Sequence, residues 1–209
     1  MSSVFAADHP LISHHLTKLR DKTTPPAEFR ALIGRLAGLL AYEATKDLAV
    51  APTKVMTPIQ EADAATLSQR IGIVPILRAG LGMVDPVLNF IPNAEVWHLG
   101  LYRDEETAQP VEYYQKLPAK DPVDVALVLD PMLATGGSAT VAIRTLERWG
   151  VKTIKLCAMI AAADGIETVR KECPDTQIYV CTIDPVLNEN KFIVPGLGDA
   201  GDRIFNTKH

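Results

Sequence analysis

Residues 123–141 read VDVALVLDPMLATGGSATV, and this stretch decides the fold. Residues 123–129 have the length and Val/Leu content of a buried strand. Asp130 stands at the carboxyl end of that strand. The turn Thr135-Gly136-Gly137-Ser138 follows, and then Val141, Ala142, Thr145, Leu146 and Trp149 mark one face of a helix that stops at Gly150. In an open α/β sheet, ligands bind outside the carboxyl ends of the strands. A turn entering a helix there offers unpaired backbone N–H groups and the positive end of the helix dipole, which suit a phosphate. Glycines at 136 and 137 admit a close backbone approach, and Thr135, Ser138 and Thr140 add hydroxyl donors.

Two familiar phosphate motifs are absent from the stretch. A Walker A loop needs a Lys before its last hydroxyl residue, and position 137 is Gly. The dinucleotide fingerprint needs glycines directly after the strand, where Pro131, Met132 and Leu133 stand instead. What remains is a carboxylate at a strand end followed by a cradle for one phosphate. That pair suits a ribose 5-phosphate, with the carboxylate accepting from vicinal hydroxyls. An ordinary strand-to-helix turn is the competing reading, since Gly, Ser and Thr are common in turns for local reasons.

A second turn of the same kind lies upstream. IGIVPILRAGLGMVDPVL, residues 71–88, reads as an apolar strand, then Arg78-Ala79-Gly80, then a helix. Arg binds phosphate through a planar fork that stays protonated. Residues 94–103 form a further strand ending in Arg103, and the polar, then aromatic stretch up to about residue 120 has the alternation of a hairpin or flap. Downstream, VKTIKLCAMI, ADGIETVRKEC and TQIYVCTID read as strand, helix, strand. This alternation implies a mostly parallel, doubly wound sheet with flanking helices.

The segments before residue 70 are expected to be structural. Residues 9–22 predict a short helix, and its histidines His9, His14 and His15 lack partners at metal-ligand spacing. Phe29, Leu32, Ile33, Leu36, Leu39 and Leu40 predict a long amphipathic helix over 27–48. Residues 50–59, with two prolines, predict extended connecting chain, and 60–69 a short helix. Near the C-terminus, KFIVPGLGDAGDRIFNT contains a literal GxGxxG at Gly196, Gly198 and Gly201. His209 follows too soon for the helix, second strand and ribose-binding acid that a dinucleotide site requires. A glycine-rich segment with no element after it suits direct backbone contact with a flat ligand.

Composition agrees with a globular chain of 209 residues, 47% hydrophobic and 22% charged. A net charge of −4 gives no electrostatic case for nucleic-acid or membrane binding. The odd number of cysteines (Cys157, Cys173, Cys181), without CxxC spacing, implies free thiols in a reducing cytoplasm and no zinc site. No signal peptide or membrane span is expected.

LVLDPMLATGGSAT, PILRAGLG, GLYRDEET, EYYQKLP and IVPGLGDAGDRIF together resemble the uracil phosphoribosyltransferases, in the expected order and across nearly the whole chain. The resemblance implies a single phosphoribosyltransferase domain over 1–209, with a β-hairpin lid at about 103–120. It also implies a small hood from the terminal segments and a uracil-binding segment at about 184–209. The implied activity transfers the phosphoribosyl group of phosphoribosyl diphosphate (PRPP) to N1 of uracil, giving UMP and diphosphate in pyrimidine salvage. The implied catalytic residues are Asp130, Arg103 and Asp199. PRPP is expected on Arg78, Arg103, Asp199 and the loop of Asp130, Pro131, Met132, Leu133, Ala134, Thr135, Gly136, Gly137 and Ser138. Uracil is expected on the backbones of Ile193, Gly198 and Ala200 beside Asp199. Mg²⁺ is expected mainly through PRPP with no protein metal site, GTP as an effector, and a homo-oligomer, dimer or tetramer. Two alternatives stay open: a nucleotide-responsive regulator with this fold, and a transferase for another nucleobase.

Overall fold

The computed structural model describes residues 3–103 and 110–207. The chain begins with β1 (Val4–Ala6), α1 (Pro10–Arg20) and α2 (Pro26–Ala44), followed by β2 (Val50–Met56) and β3 (Glu61–Leu67). Next come β4 (Ile71–Leu77), α3 (Leu81–Phe90), β5 (Glu95–Val96), β6 (Leu99–Arg103) and β7 (Pro110–Gln115). The decisive stretch supplies β8 (Val125–Leu129), β9 (Met132–Leu133) and α4 (Gly137–Trp149). The remainder is β10 (Thr153–Ala162), α5 (Ala163–Glu172), β11 (Gln177–Asp184), β12 (Val186–Leu187), β13 (Ile193–Val194) and α6 (Ala200–Phe205).

The main sheet runs β1-β11-β10-β8-β4-β6-β7, with β5 also on β4 and β9 also on β10. Its pairs are parallel except β6 with β7. From β4 the chain winds outward to β6; from β8 it winds the other way to β10 and β11. The strand order therefore reverses between β4 and β8, where Pro75 pairs with Leu129. A crevice opens at the carboxyl ends on either side of such a switch point. Arg78 and Asp130 are the residues that follow these two strands. The α/β, doubly wound expectation holds.

Two apolar layers sandwich the sheet. Val125, Leu127 and Leu129 of β8 pack in the layer that holds α1, α2, α3 and α6, while Ala126 and Val128 pack in the layer of α4 and α5. The period-2 alternation of a strand buried on both faces explains why β8 reads as an unbroken apolar run. The periodic residues Phe29, Leu32, Ile33, Leu36 and Leu40 are fully buried on α2. Gly150 ends α4 in the left-handed region, φ 106°, its N–H donating to the carbonyls of Leu146 and Glu147.

One expectation is overturned. Residues 50–67 form an antiparallel hairpin, β2 on β3 from Val50↔Leu67 to Met56↔Glu61, with no helix over 60–69. Thr57 makes the turn: its N–H donates to the Gln60 carbonyl at 3.0 Å, and its hydroxyl accepts from the N–H groups of Ile59 and Gln60. The Ala-rich run EADAATL favours helix locally, and the ladder to Thr53 and Val55 outweighs that propensity. Pro52 is tolerated because a two-stranded ribbon consists only of edges. The strand expected over 94–103 is also divided, into β5 and β6 on either side of Trp97 and His98.

Candidate active site

The cradle forms as its residues require. Gly136 caps α4 at φ 83°, a left-handed conformation that an L side chain resists. A Cβ there would stand 2.8 Å from the Gly165 carbonyl oxygen and 3.0 Å from Thr168 Cβ. The N-cap residue of α4 is a glycine with no side chain to cap the helix, so the first-turn N–H groups have the anion-binding disposition of a helix start. Asp130 and residues 132–139 line a small cavity of about 50 Å³. Among the described residues, the buried Thr140 hydroxyl on the same turn has no hydrogen-bond partner.

Asp130 retains some exposure as a residue, yet its carboxyl is enclosed by protein. Burial pushes the carboxyl up to about 7, against the opposing hydrogen bond from the Met132 N–H at 3.3 Å. A carboxyl poised near neutrality can accept from sugar hydroxyls when ionised and donate when protonated.

A larger cavity of about 420 Å³ adjoins the cradle. Met132 and Ala134 line both cavities. Arg78 and Ala79 bring in the turn after β4; Ile193, Gly198, Asp199, Ala200 and Gly201 bring in the C-terminal segment. A Cβ on Gly201 would lie 3.2 Å from Asp199 Oδ1, 3.8 Å from Arg78 Nη2 and 3.9 Å from Ala79 Cβ, so these residues converge. Arg78 Nη2 stands 3.4 Å from Asp202 Oδ1. The Leu77–Arg78 peptide is cis.

Thus most of the expected site residues meet across the two adjoining cavities. Pro131 is buried between them in sequence, and its carbonyl accepts from the N–H groups of Met159 and Ile160 on β10, fixing the loop to the sheet. Arg103 closes β6, but its side chain lies outside the described residues, as does the tip of the expected lid, residues 104–109. The flanking strands do pair antiparallel, Leu99↔Gln115 to Arg103↔Pro110, at the edge of the sheet. Tyr113, Tyr114 and Lys116 on or after the second strand are exposed.

The C-terminal segment requires a correction. An element does form there: the six-residue helix α6, which takes in Gly201 and which Asp199 caps by accepting from the Asp202 N–H at 2.8 Å. Asp199 and Asp202 therefore each have a structural task that the sequence reading did not assign. Asn190, Lys191 and Phe192 also line the larger cavity and were missed. The available signal was the polar turn between two short apolar runs; Asn188 Oδ1 accepts from the Phe192 N–H at 2.9 Å and closes it. Among the described residues no three His, Cys, Asp or Glu cluster at metal-binding distance. His9 instead caps α1, accepting from the Leu11 N–H at 3.1 Å. All three cysteines are buried thiols, and no described helix is long and apolar enough to cross a membrane.

Comparison with known proteins identifies the family. The family model for uracil phosphoribosyltransferase matches residues 6–207. A protein named uracil phosphoribosyltransferase from Roseiflexus sp. (strain RS-1) is 53% identical over 207 residues, 99% of this chain and 100% of its own. Its namesake from Halalkalibacterium halodurans is 53% identical over 209 residues, 100% of both chains. The solved structure of the AQ2163 protein from Aquifex aeolicus superposes with a TM-score of 0.93 at 36% identity, covering 98% of this chain and 99% of that one. The chain belongs to the uracil phosphoribosyltransferase family.

Proposed function

We propose that the chain transfers the phosphoribosyl group of PRPP to N1 of uracil, giving UMP and diphosphate. The observation that carries this reading is the meeting, in one cavity, of an arginine turn, the margin of a phosphate cradle and a glycine-rich backbone segment.

In the reaction the N1–C1′ bond forms, the bond from C1′ to the diphosphate oxygen breaks, and the N1 proton leaves. The cradle of residues 135–138 holds the 5′-phosphate, and Asp130 accepts from the ribose hydroxyls. These contacts orient C1′ and supply binding energy remote from the reacting atoms. Arg78, with Arg103, neutralises charge that grows on the departing diphosphate, where preorganised electrostatics contributes most. The backbone groups of Ile193, Gly198 and Ala200 face the uracil edge, since fixed C=O and N–H groups reject a base with a different donor pattern. The hairpin of β6 and β7 acts as the lid that excludes water.

Mg²⁺ fits the chemistry of the site: Asp199, lining the larger cavity, offers a hard carboxylate oxygen, and such an ion takes most of its ligands from substrate oxygens and water. When bound, it supplies Lewis-acid neutralisation of the diphosphate. A homo-oligomer is supported by the exposed apolar residues of the β2–β3 hairpin and its turn, Val55, Met56 and Ile59 among them. GTP as an effector rests on the resemblance alone, and initial rates with and without GTP test it. The three buried cysteines, which form no disulfide, support a reducing cytoplasmic location.

The deciding experiment is UMP formation from uracil, PRPP and Mg²⁺, with cytosine, hypoxanthine and orotate as parallel acceptors. Turnover with uracil alone is expected. Turnover with another base would overturn the uracil assignment, and nucleotide binding without turnover would favour a regulator.

A further inference from the structure

Behind the glycine-rich segment lies an ion pair that does not line the cavity. Arg20, the last residue of α1, donates bidentately to Asp184, the last residue of β11: Nη1 to Oδ2 at 2.7 Å and Nη2 to Oδ1 at 2.6 Å. Asp184 is 4% exposed. The same pair holds both backbone groups of Gly196: Asp184 Oδ2 accepts its N–H at 2.8 Å, and Arg20 Nη1 donates to its carbonyl at 2.8 Å. Gly196 sits at φ 58°, where a Cβ would stand 2.1 Å from the Ile193 carbonyl oxygen. It lies between Ile193 and Gly198, two of the three residues assigned to uracil.

A second guanidinium continues the connection. Arg203 Nη1 donates to the carbonyls of Leu197 and Leu19, its Nη2 donates to the Asp21 carbonyl, and its guanidinium lies 4.2 Å from the Phe29 ring centre. Residues 196 and 197 are thereby tied to residues 19–21 through charge-assisted bonds that fix direction as well as distance. Burial pushes the Asp184 carboxyl up, but the Arg20 hydrogen bonds, the Gly196 N–H and the Arg20 charge more than offset this and hold it low.

We infer that Arg20 and Asp184 are positioning residues for base recognition, setting the backbone of residues 193–200 from outside the cavity through both polar groups of Gly196. This rests on the assignment of that segment to uracil. A buried ion pair adds little net stability against an apolar replacement, whereas it can fix a unique geometry. Backbone recognition depends on such geometry, because small displacements of fixed donors and acceptors carry large rate penalties. The bonds of the pair run to one another and to Gly196, between two of the residues assigned to uracil, so base recognition is set more directly than PRPP binding.

The test uses the full chain with Arg20→Lys and Asp184→Asn, and with Gly198→Ala as the reference for the base site. Arg20→Lys keeps the charge but loses the planar fork that grips the carboxylate bidentately while reaching the Gly196 carbonyl; Asp184→Asn keeps an acceptor for the Gly196 N–H. KM for uracil, KM for PRPP and the uracil-to-cytosine ratio of kcat/KM are measured on variants whose thermal unfolding shows a folded protein. A rise of about tenfold in the uracil KM, with the PRPP KM within about twofold and a lowered ratio, is expected. Should one variant fail to fold, the other carries the same expectation; loss of folding in both would overturn the positioning role in favour of a purely structural one. An unchanged uracil KM in a folded variant, or equal rises for both substrates, would also overturn it. If Gly198→Ala alone raises the uracil KM, the positioning inference fails and the base site stands. If no variant, Gly198→Ala included, alters it, the base-site assignment itself fails.

Discussion

Arg78 and Asp202 join the two halves of the candidate site: Arg78 Nη2 lies 3.4 Å from Asp202 Oδ1, linking the turn after β4 to α6. The arginine side chain is half exposed at the cavity while the aspartate is mostly covered. An anion arriving at Arg78 meets a guanidinium whose orientation is already constrained by a carboxylate on the neighbouring element.

Arg78→Ala is expected to raise the KM for PRPP by about tenfold or more, since a hydrogen bond to a charged group contributes about 1.5–3 kcal/mol. Initial rates against PRPP at saturating uracil measure it. An unchanged PRPP KM would remove Arg78 from the diphosphate site.

Asp130 couples activity to stability. Its carboxyl rises from 3.8 to about 7 on folding because it is buried. Between those values the folded state holds a proton that the unfolded state has released, so rising pH weakens this contribution until it is lost above about 7. Asp130→Asn is therefore expected to raise Tm at about pH 8 while lowering kcat/KM, and to leave Tm nearly unchanged at about pH 4. Thermal melts across this range check the sign; a lower Tm at the alkaline end would refute the burial argument.

Gly136→Ala places a side chain at φ 83° and against the Gly165 carbonyl. The left-handed conformation alone costs about 1–2 kcal/mol. We expect a lower urea midpoint together with weaker PRPP binding, because the cradle and the start of α4 move as one. Normal stability with normal PRPP affinity would show that the turn does not need glycine.

Lys155, on β10, is 1% exposed, donates to the Ala44 carbonyl at 2.7 Å, pairs with Asp47 and lies 5.7 Å from the Tyr179 ring centre. Lys155→Ala empties the space filled by its stem and orphans the carbonyl at the end of α2. A loss of about 2–5 kcal/mol is expected by analogy with large-to-small core changes. Lys155→Met, which keeps the stem, is expected to lose less. Equal losses in chemical denaturation would place the whole effect in the ammonium.

The fold was legible because its strands and helices carry strong local periods. The run ending at Leu129, the helix ending at Gly150 and the buried stripe on α2 each follow from spacing alone. The positions of Asp130, Gly136 and Arg78 at strand ends were equally readable, since a strand-to-helix turn fixes where its residues stand. The β2–β3 hairpin was not readable: its alanines favour helix, and cross-strand pairing is a property of two segments together.

The sequence by itself determined the alternation of strands and helices, the glycine turn that opens α4 and the glycines that admit close backbone approach, because each depends on residues near one another in the chain. Only the tertiary structure decided which turns share a cavity and that Arg20 and Asp184 grip Gly196. Those relationships join residues far apart along the chain, and no local pattern encodes a distance between them until the sheet has brought its strand ends together.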